Sequence, residues 1–157
     1  AILFQEEGLL PRTLFYGTDI NPASLQVASQ GVYPLDRIAA FSRNYLAAGG
    51  TGSLSDYYTT AYNGAIVNAA LKSQVVFADH SLATDSVFSE VHLVSCRNVL
   101  IYFDKTLQDR AVGLFRDSLV HRGFLGIGMK ESLLSSAHAI AFVEHVRADR
   151  IYVKVQP

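Results

Sequence analysis

Ser95-Cys96-Arg97-Asn98-Val99-Leu100-Ile101-Tyr102-Phe103-Asp104 is the stretch on which the reading of this chain turns. An apolar run, Val91 to Val94, breaks into three polar side chains, turns apolar again and closes on Asp104, a good helix cap. In an open α/β sheet, a buried strand that opens into polar residues at its carboxyl end marks the ligand crevice. Arg97 and Asn98 would sit at that mouth, with Tyr102 returning toward it. Packing gives a core strand no reason to end this way, so the segment reads as a site.

Outward from that segment, strands and helices alternate. Leu14 to Ile20 is an aromatic and apolar strand that closes on Asp19. Asn21-Pro22 then opens a helix, since Asn caps well and Pro is tolerated at the first helical position. The helix runs through Ser29 to Gly31, a C-cap glycine, and Pro34 to Ala48 reads as a second helical segment. Gly49 to Ser53 is a loop. Tyr57 to Tyr62 and Gly64 to Val67 suit short strands with Asn63-Gly64 as their hairpin dipeptide, so residues 50–72 read as a small antiparallel insertion. Strand Gln74 to Asp79 follows, running out into His80-Ser81. After the opening motif come an amphipathic helix from Asp104 to Leu119 and a strand from Gly123 to Gly128. Phe142 to Val146 and Ile151 to Val155 form a closing hairpin around Ala148-Asp149-Arg150. The fold class is α/β, a mainly parallel sheet with an antiparallel edge at its carboxyl end.

Composition narrows the function classes. With 157 residues, 50% hydrophobic and 17% charged, the chain suits one compact domain. A net charge of -1 without a basic block gives no support for nucleic-acid or anionic-membrane binding. No apolar run approaches the roughly 20 residues that span a bilayer, so membrane insertion is not expected. A single cysteine rules out an internal disulfide and suits a cytoplasmic setting. Ala1 to Gly8 has a helical pattern with a C-cap glycine but no N-cap and no initiator Met. It reads as cut inside a helix, and a longer chain is expected upstream.

Several side chains could carry chemistry. Asp19 at a strand end can accept from both ribose hydroxyls of a nucleoside, or it can help cap the helix at Pro22; position alone leaves the two open. Asp79-His80-Ser81 cannot be a triad among themselves, because adjacent strand residues point to opposite faces. They read as a polar strand exit lining a pocket. Cys96 is a small apolar filler or, with His80 as base, a nucleophile. The five histidines show no metal-ligand spacing, and no metal is expected. Gly126-x-Gly128-x-Lys130 lacks the long glycine loop of a phosphate cradle and reads as a strand exit. Arg97 and Asn98 point to function because Arg is rarely buried unpaired. Tyr102-Phe103 belongs to the site or is the hydrophobic lead-in to the Asp104 helix.

Thr18-Asp19-Ile20-Asn21, Gly31-Val32-Tyr33-Pro34, the Cys96 to Asp104 run and the closing hairpin together resemble the chemotaxis receptor methyltransferase (CheR) family, in order over nearly the whole chain. The resemblance implies a Rossmann-like class I methyltransferase sheet that uses S-adenosylmethionine, releases S-adenosylhomocysteine and methylates glutamate side chains of chemoreceptor cytoplasmic helices. Residues 50–72 would then be the family's β-subdomain, which docks on receptors. By the resemblance Asp19 matches the acidic residue that holds the ribose, with Ile20 beside it among the cofactor-binding positions. Ser81 and Leu82 match an Asn-Leu pair lining the adenosine pocket, with Ser81 a departure from the usual Asn. Arg97 and Asn98 match cofactor-pocket residues. Tyr102 matches an active-site tyrosine, and Arg97 and Tyr102 are the residues expected to act in catalysis.

In the family, the first strand with its glycine loop, an arginine near the methyl group and an amino-terminal helical domain precede the position of Ala1. Residues 1–157 are therefore expected to be a partial catalytic domain, inactive alone and binding cofactor weakly or not at all. Exposed sheet edges would let it self-associate. Two other function classes stay open at this point: an adaptor module that keeps the fold without turnover, and a Cys96/His80 hydrolase.

Overall fold

The computed structural model describes residues 1–156 and divides into two compact units, Ala1–His80 and Ser81 onward. In the first, helix α1 (Ile2–Glu6) leads to strand β1 (Phe15–Asp19), with Phe4 and Phe15 meeting edge to face at 5.1 Å. Asn21 caps α2 (Pro22–Gln30): its side chain accepts from the Ala23 N–H, and the helix stops at Gly31 in the left-handed conformation (φ 63°). The chain continues through β2 (Val32–Pro34), α3 (Ile38–Ala47), β3 (Tyr58–Ala61), β4 (Gly64–Val67), α4 (Ala69–Lys72) and β5 (Val75–Asp79).

β1 pairs in parallel with β5, Asp19 opposite Asp79, and a separate antiparallel sheet runs β2-β4-β3. Two sequence expectations change here. The sheet of the insertion reaches back to Val32–Pro34, outside residues 50–72. Its hairpin turn is Tyr62-Asn63 (φ 47° and 63°), one residue earlier than the Asn63-Gly64 dipeptide indicated. Two successive left-handed residues give the turn twist that matches a two-residue hairpin, and fully exposed Tyr62 accepts that conformation. Gly64 serves packing instead: a Cβ there would lie 2.9 Å from Val32 Cγ1.

The first unit has a thin core, with Leu10, Tyr45, Ala65 and Leu71 buried. It is tied together by a polar cluster as well. Glu6 Oε1 accepts from the hydroxyls of Tyr45 and Tyr57, Oε2 accepts from the Thr51 N–H, and the Gly52 N–H donates to the Tyr45 oxygen at 2.8 Å. These bonds lower the Glu6 pKa, Tyr45's first among them, while the bond to Glu6 pushes Tyr57 up to about 12. Thus the glycine-rich loop after α3 is pinned at Thr51 and Gly52.

In the second unit, β6 (Val91–Cys96) runs parallel to β7 (Leu119–Ile127), with α5 (Lys105–Ser118) between them. β8 (Phe142–Val146) and β9 (Ile151–Lys154) form the closing hairpin, and the sheet order is β6-β7-β9-β8. Asp104 caps α5, its side chain accepting from the Leu107 N–H at 2.8 Å. Val112 and Phe115 of α5 pack with Leu119, Leu125 and Ile127 of β7 and with Leu100 and Tyr152. Each such side chain contributes about 1.5–3 kcal/mol. The parallel pairs β1–β5 and β6–β7, the antiparallel hairpin and the flanking helices make this an α/β fold, its strands shared among three sheets.

Candidate active site

β6 ends at Cys96, and the next residues fold into a tight turn. Asn98 takes a left-handed conformation (φ 60°), which Asn tolerates better than most residues. The turn is held by Glu131, a side chain only 4% exposed. Its Oε2 accepts from the Asn98 N–H at 3.0 Å and from the Gly128 N–H, and its Oε1 accepts from the Val99 N–H at 2.8 Å. A buried carboxylate is costly unless its oxygens find donors, and here three backbone groups supply them. Gly128 has to be glycine for space, since a Cβ would lie 2.6 Å from Asn98 Oδ1. The carboxyl ends of the parallel neighbours β6 and β7 are therefore stitched together by one side chain.

The polypeptide then makes a 3-10 turn, Leu100–Tyr102, anchored on both sides by apolar groups. Leu100 is buried and Phe103 packs against the same core. The Gln108 amide donates to the carbonyl oxygens of Leu100 and Phe103. Between these anchors Tyr102 projects outward, 80% exposed, its hydroxyl without a partner among the described residues. Phe103 is the hydrophobic lead-in to α5; Tyr102 is not. Arg97 is also exposed, and its Nη1 donates to the Asp149 carbonyl in the hairpin turn at 3.3 Å.

Cys96 does not belong to this outward-facing set. It is buried, and burial followed by the nearby Glu131 charge pushes its thiol up to about 12. A thiol so placed is not ionised at neutral pH and is no nucleophile. The filler reading of Cys96 holds, and the Cys96/His80 hydrolase loses its attacking group.

In the same unit, the Ser81 hydroxyl is turned back on its own loop, accepting from the Ala83 N–H at 3.3 Å, while the Ser81 N–H donates to Asp85 Oδ2 at 2.8 Å. Arg110 of α5 donates to the Asp85 carbonyl, which fixes that loop. Leu82 is partly buried and packs against the hydrophobic core.

In the first unit, Asp19 and Ile20 stand at the carboxyl end of β1, and the His80 N–H donates to the Asp19 carbonyl. Asp19 Oδ1 accepts from the Asn21 N–H at 2.8 Å, just ahead of the Asn21 cap, while Oδ2 has no partner among the described residues. Ile20 is 69% exposed beside it.

Two apolar clefts of about 320 Å³ each lie in this unit, one beside Ile2, Val75 and Phe77, the other beside Tyr33, Phe41 and Tyr58. Neither includes a candidate residue. Among the described residues no cluster of three His, Cys, Asp or Glu side chains could hold a metal ion, and no helix is long and apolar enough to cross a membrane.

Residues 1–148 match the SAM-binding domain of the CheR methyltransferases. The chain belongs to the CheR methyltransferase family. It is 57% identical over 154 residues to "Putative methyltransferase Cher3" of Pseudomonas putida, a match that covers 98% of this chain and 56% of that protein. It is 30% identical over 139 residues to chemotaxis protein methyltransferase 2 of Pseudomonas aeruginosa, covering 85% of this chain and 47% of that one. With the chemotaxis protein methyltransferase of Borreliella burgdorferi the identity is 32% over 118 residues, covering 74% and 39%. The chain thus spans about half the length of these relatives. Its arrangement of helices with parallel and antiparallel strands is that of a Rossmann-like methyltransferase fold.

S-adenosylmethionine is the group this family implies, and the residues present suit it. A strand-end carboxylate with one uncommitted oxygen matches a ribose diol, and an exposed Ile suits the edge of a purine. Sequence reasoning missed Glu131 and Gln108. Glu131 left one trace, a carboxylate three residues after Gly128 at a strand exit; Gln108 left none.

Proposed function

We propose that the full-length protein is an S-adenosylmethionine-dependent methyltransferase that esterifies glutamate side chains of chemoreceptor cytoplasmic helices, working in the cytoplasm. The observation that carries this reading is the family match combined with the polar strand ends that face solvent, Asp19 on one unit and Arg97, Asn98 and Tyr102 on the other. The names of the Pseudomonas aeruginosa and Borreliella burgdorferi relatives support the chemotaxis assignment.

In the first unit Asp19 would hold the ribose, with Ile20 beside it as a cofactor-binding residue; in the second unit Ser81 and Leu82 are the residues proposed to bind the adenosine. Arg97 and Asn98 would face the amino-acid end of the cofactor. When bound, the cofactor would supply a methyl group on a sulfonium, the sulfur taking the electron pair of the bond that breaks. A glutamate carboxylate is already ionised at pH 7, so no residue of the chain need remove a proton from the acceptor. Opposite charges cancel along this path, so the residues of the chain contribute positioning and exclusion of water. The unpartnered Tyr102 hydroxyl can donate to the second oxygen of the acceptor carboxylate, and the Arg97 guanidinium can hold its charge.

The antiparallel sheet β2-β4-β3 would dock on the receptor, with exposed Val32 and Tyr62 on its surface. An adaptor without turnover is the second reading. Transfer of labelled methyl from S-adenosylmethionine to a receptor cytoplasmic fragment separates them. The full-length protein should label receptor glutamates, and Arg97→Ala and Tyr102→Phe should each lower the rate at least tenfold while the melt stays cooperative. Full activity in both variants would remove the assigned roles, and no labelling by the wild type would favour the adaptor.

A further inference from the structure

We propose that Glu131 is a positioning residue for the cofactor wall, a carboxylate that fills a cradle of backbone N–H groups and thereby sets the course of the Arg97-Asn98 turn. The inference rests on the reading of Arg97 and Asn98 as cofactor-facing. Three observations carry it. Glu131 is buried, and no cationic side chain pairs with it among the described residues. Its donors are main-chain N–H groups, two from Asn98 and Val99 and one from Gly128, so it joins the carboxyl ends of two parallel strands. Finally, Asn98 is left-handed and its Oδ1 lies 2.6 Å from where a Cβ on residue 128 would stand, so the turn is held close against Gly128 and its course depends on the carboxylate that bonds both.

Chemistry makes the role specific to a carboxylate. Three converging N–H donors need an acceptor on every side, and both Glu131 oxygens meet that need. In Glu131→Gln the amide oxygen could still accept from Val99, but the NH2 group would face the Asn98 and Gly128 N–H groups, donor against donor. The turn would open, and the residues on it would lose their aim. Glu131→Ala would leave the cradle empty and able to take a small carboxylate from solution.

The test uses the full-length protein, with acetate as the rescuing probe. Glu131→Gln should raise the KM for S-adenosylmethionine at least tenfold and leave the KM for the receptor fragment unchanged. A merely structural role would lower kcat through a smaller active fraction and leave KM alone. Acetate should bring the KM of Glu131→Ala back toward the wild-type value, with no such effect on Glu131→Gln. Should Glu131→Ala not fold, the KM of Glu131→Gln decides. An unchanged KM in Glu131→Gln, or a folded Glu131→Ala that acetate does not restore, would overturn the proposal. Amide hydrogen exchange at Asn98, Val99 and Gly128 is read without cofactor, and faster exchange in Glu131→Gln is expected. If the wild type turns nothing over while that exchange difference is present, the methyltransferase reading has failed and the cradle has not. Equal exchange in both proteins would count against the cradle itself.

Discussion

Gln108, one turn into α5, donates from Nε2 to the carbonyl oxygen of Leu100 at 3.0 Å, and the same nitrogen donates to Phe103 at 3.1 Å. One amide thereby closes the 3-10 turn that carries Tyr102. Leu100 is almost fully buried, so its carbonyl has little access to water once the amide is gone. Gln108→Ala should therefore destabilise the protein by about 1–2 kcal/mol in a denaturant titration. Gln108→Glu should be worse, because it sets a carboxylate against two carbonyl oxygens. A Gln108→Ala midpoint equal to wild type would mean that the turn holds without this bond.

Gly128→Ala should also be costly, by about 1–3 kcal/mol, since its methyl would meet Asn98 Oδ1 and the Glu131 carboxylate. Asn98→Gly probes the same place from the other side. Glycine adopts the left-handed conformation without penalty, whereas Asn98→Ala should lose roughly 1 kcal/mol to it. The order of melting temperatures, Asn98→Gly above Asn98→Ala, checks the turn geometry; the reverse order would contradict it.

Cys96, the single cysteine, should be silent toward thiol reagents in the folded protein at neutral pH. Burial pushes its thiol up to about 12, and the Glu131 charge adds to this. Labelling should appear only when denaturant unfolds the chain. Rapid alkylation of the native protein would show the thiol to be open and would revive its candidacy as a nucleophile.

Much of this fold could be read from neighbours in sequence. Asn21 and Asp104 cap helices through bonds that span two and three residues, and Gly31 stops α2 through its own backbone. Signals of that kind are written locally, and so were the strand ends at Asp19 and Cys96. Glu131 reaches back 33 residues to Asn98, and Tyr57 reaches 51 residues to Glu6. Those bonds exist only after the chain has folded, and no spacing rule encodes them. The hairpin turn was misplaced by one residue for a related reason. Gly64 reads as a turn residue, yet its small size is used against Val32 on a third strand.

The Glu6 cluster predicts a stability that depends on pH from both sides. The Glu6 pKa is lowered, so its contribution is present above the ordinary carboxylate value and is lost as pH falls through the folded value. Tyr57 is raised from 10.0 to about 12, so its contribution is complete below pH 10 and fades as the pH rises toward 12. Tyr57→Phe should flatten the alkaline limb of a stability profile. An identical alkaline limb in wild type and Tyr57→Phe would show that the Glu6 bond does not hold in solution.

The most direct test of the central claim is a calorimetric titration of the full-length protein with S-adenosylmethionine, for wild type and for Asp19→Ala. The open Oδ2 of Asp19 is the group assigned to the ribose. Saturable binding by wild type, competed by S-adenosylhomocysteine and weakened at least tenfold in a folded Asp19→Ala, is the predicted result. Absence of heat from wild type at millimolar ligand would contradict the account.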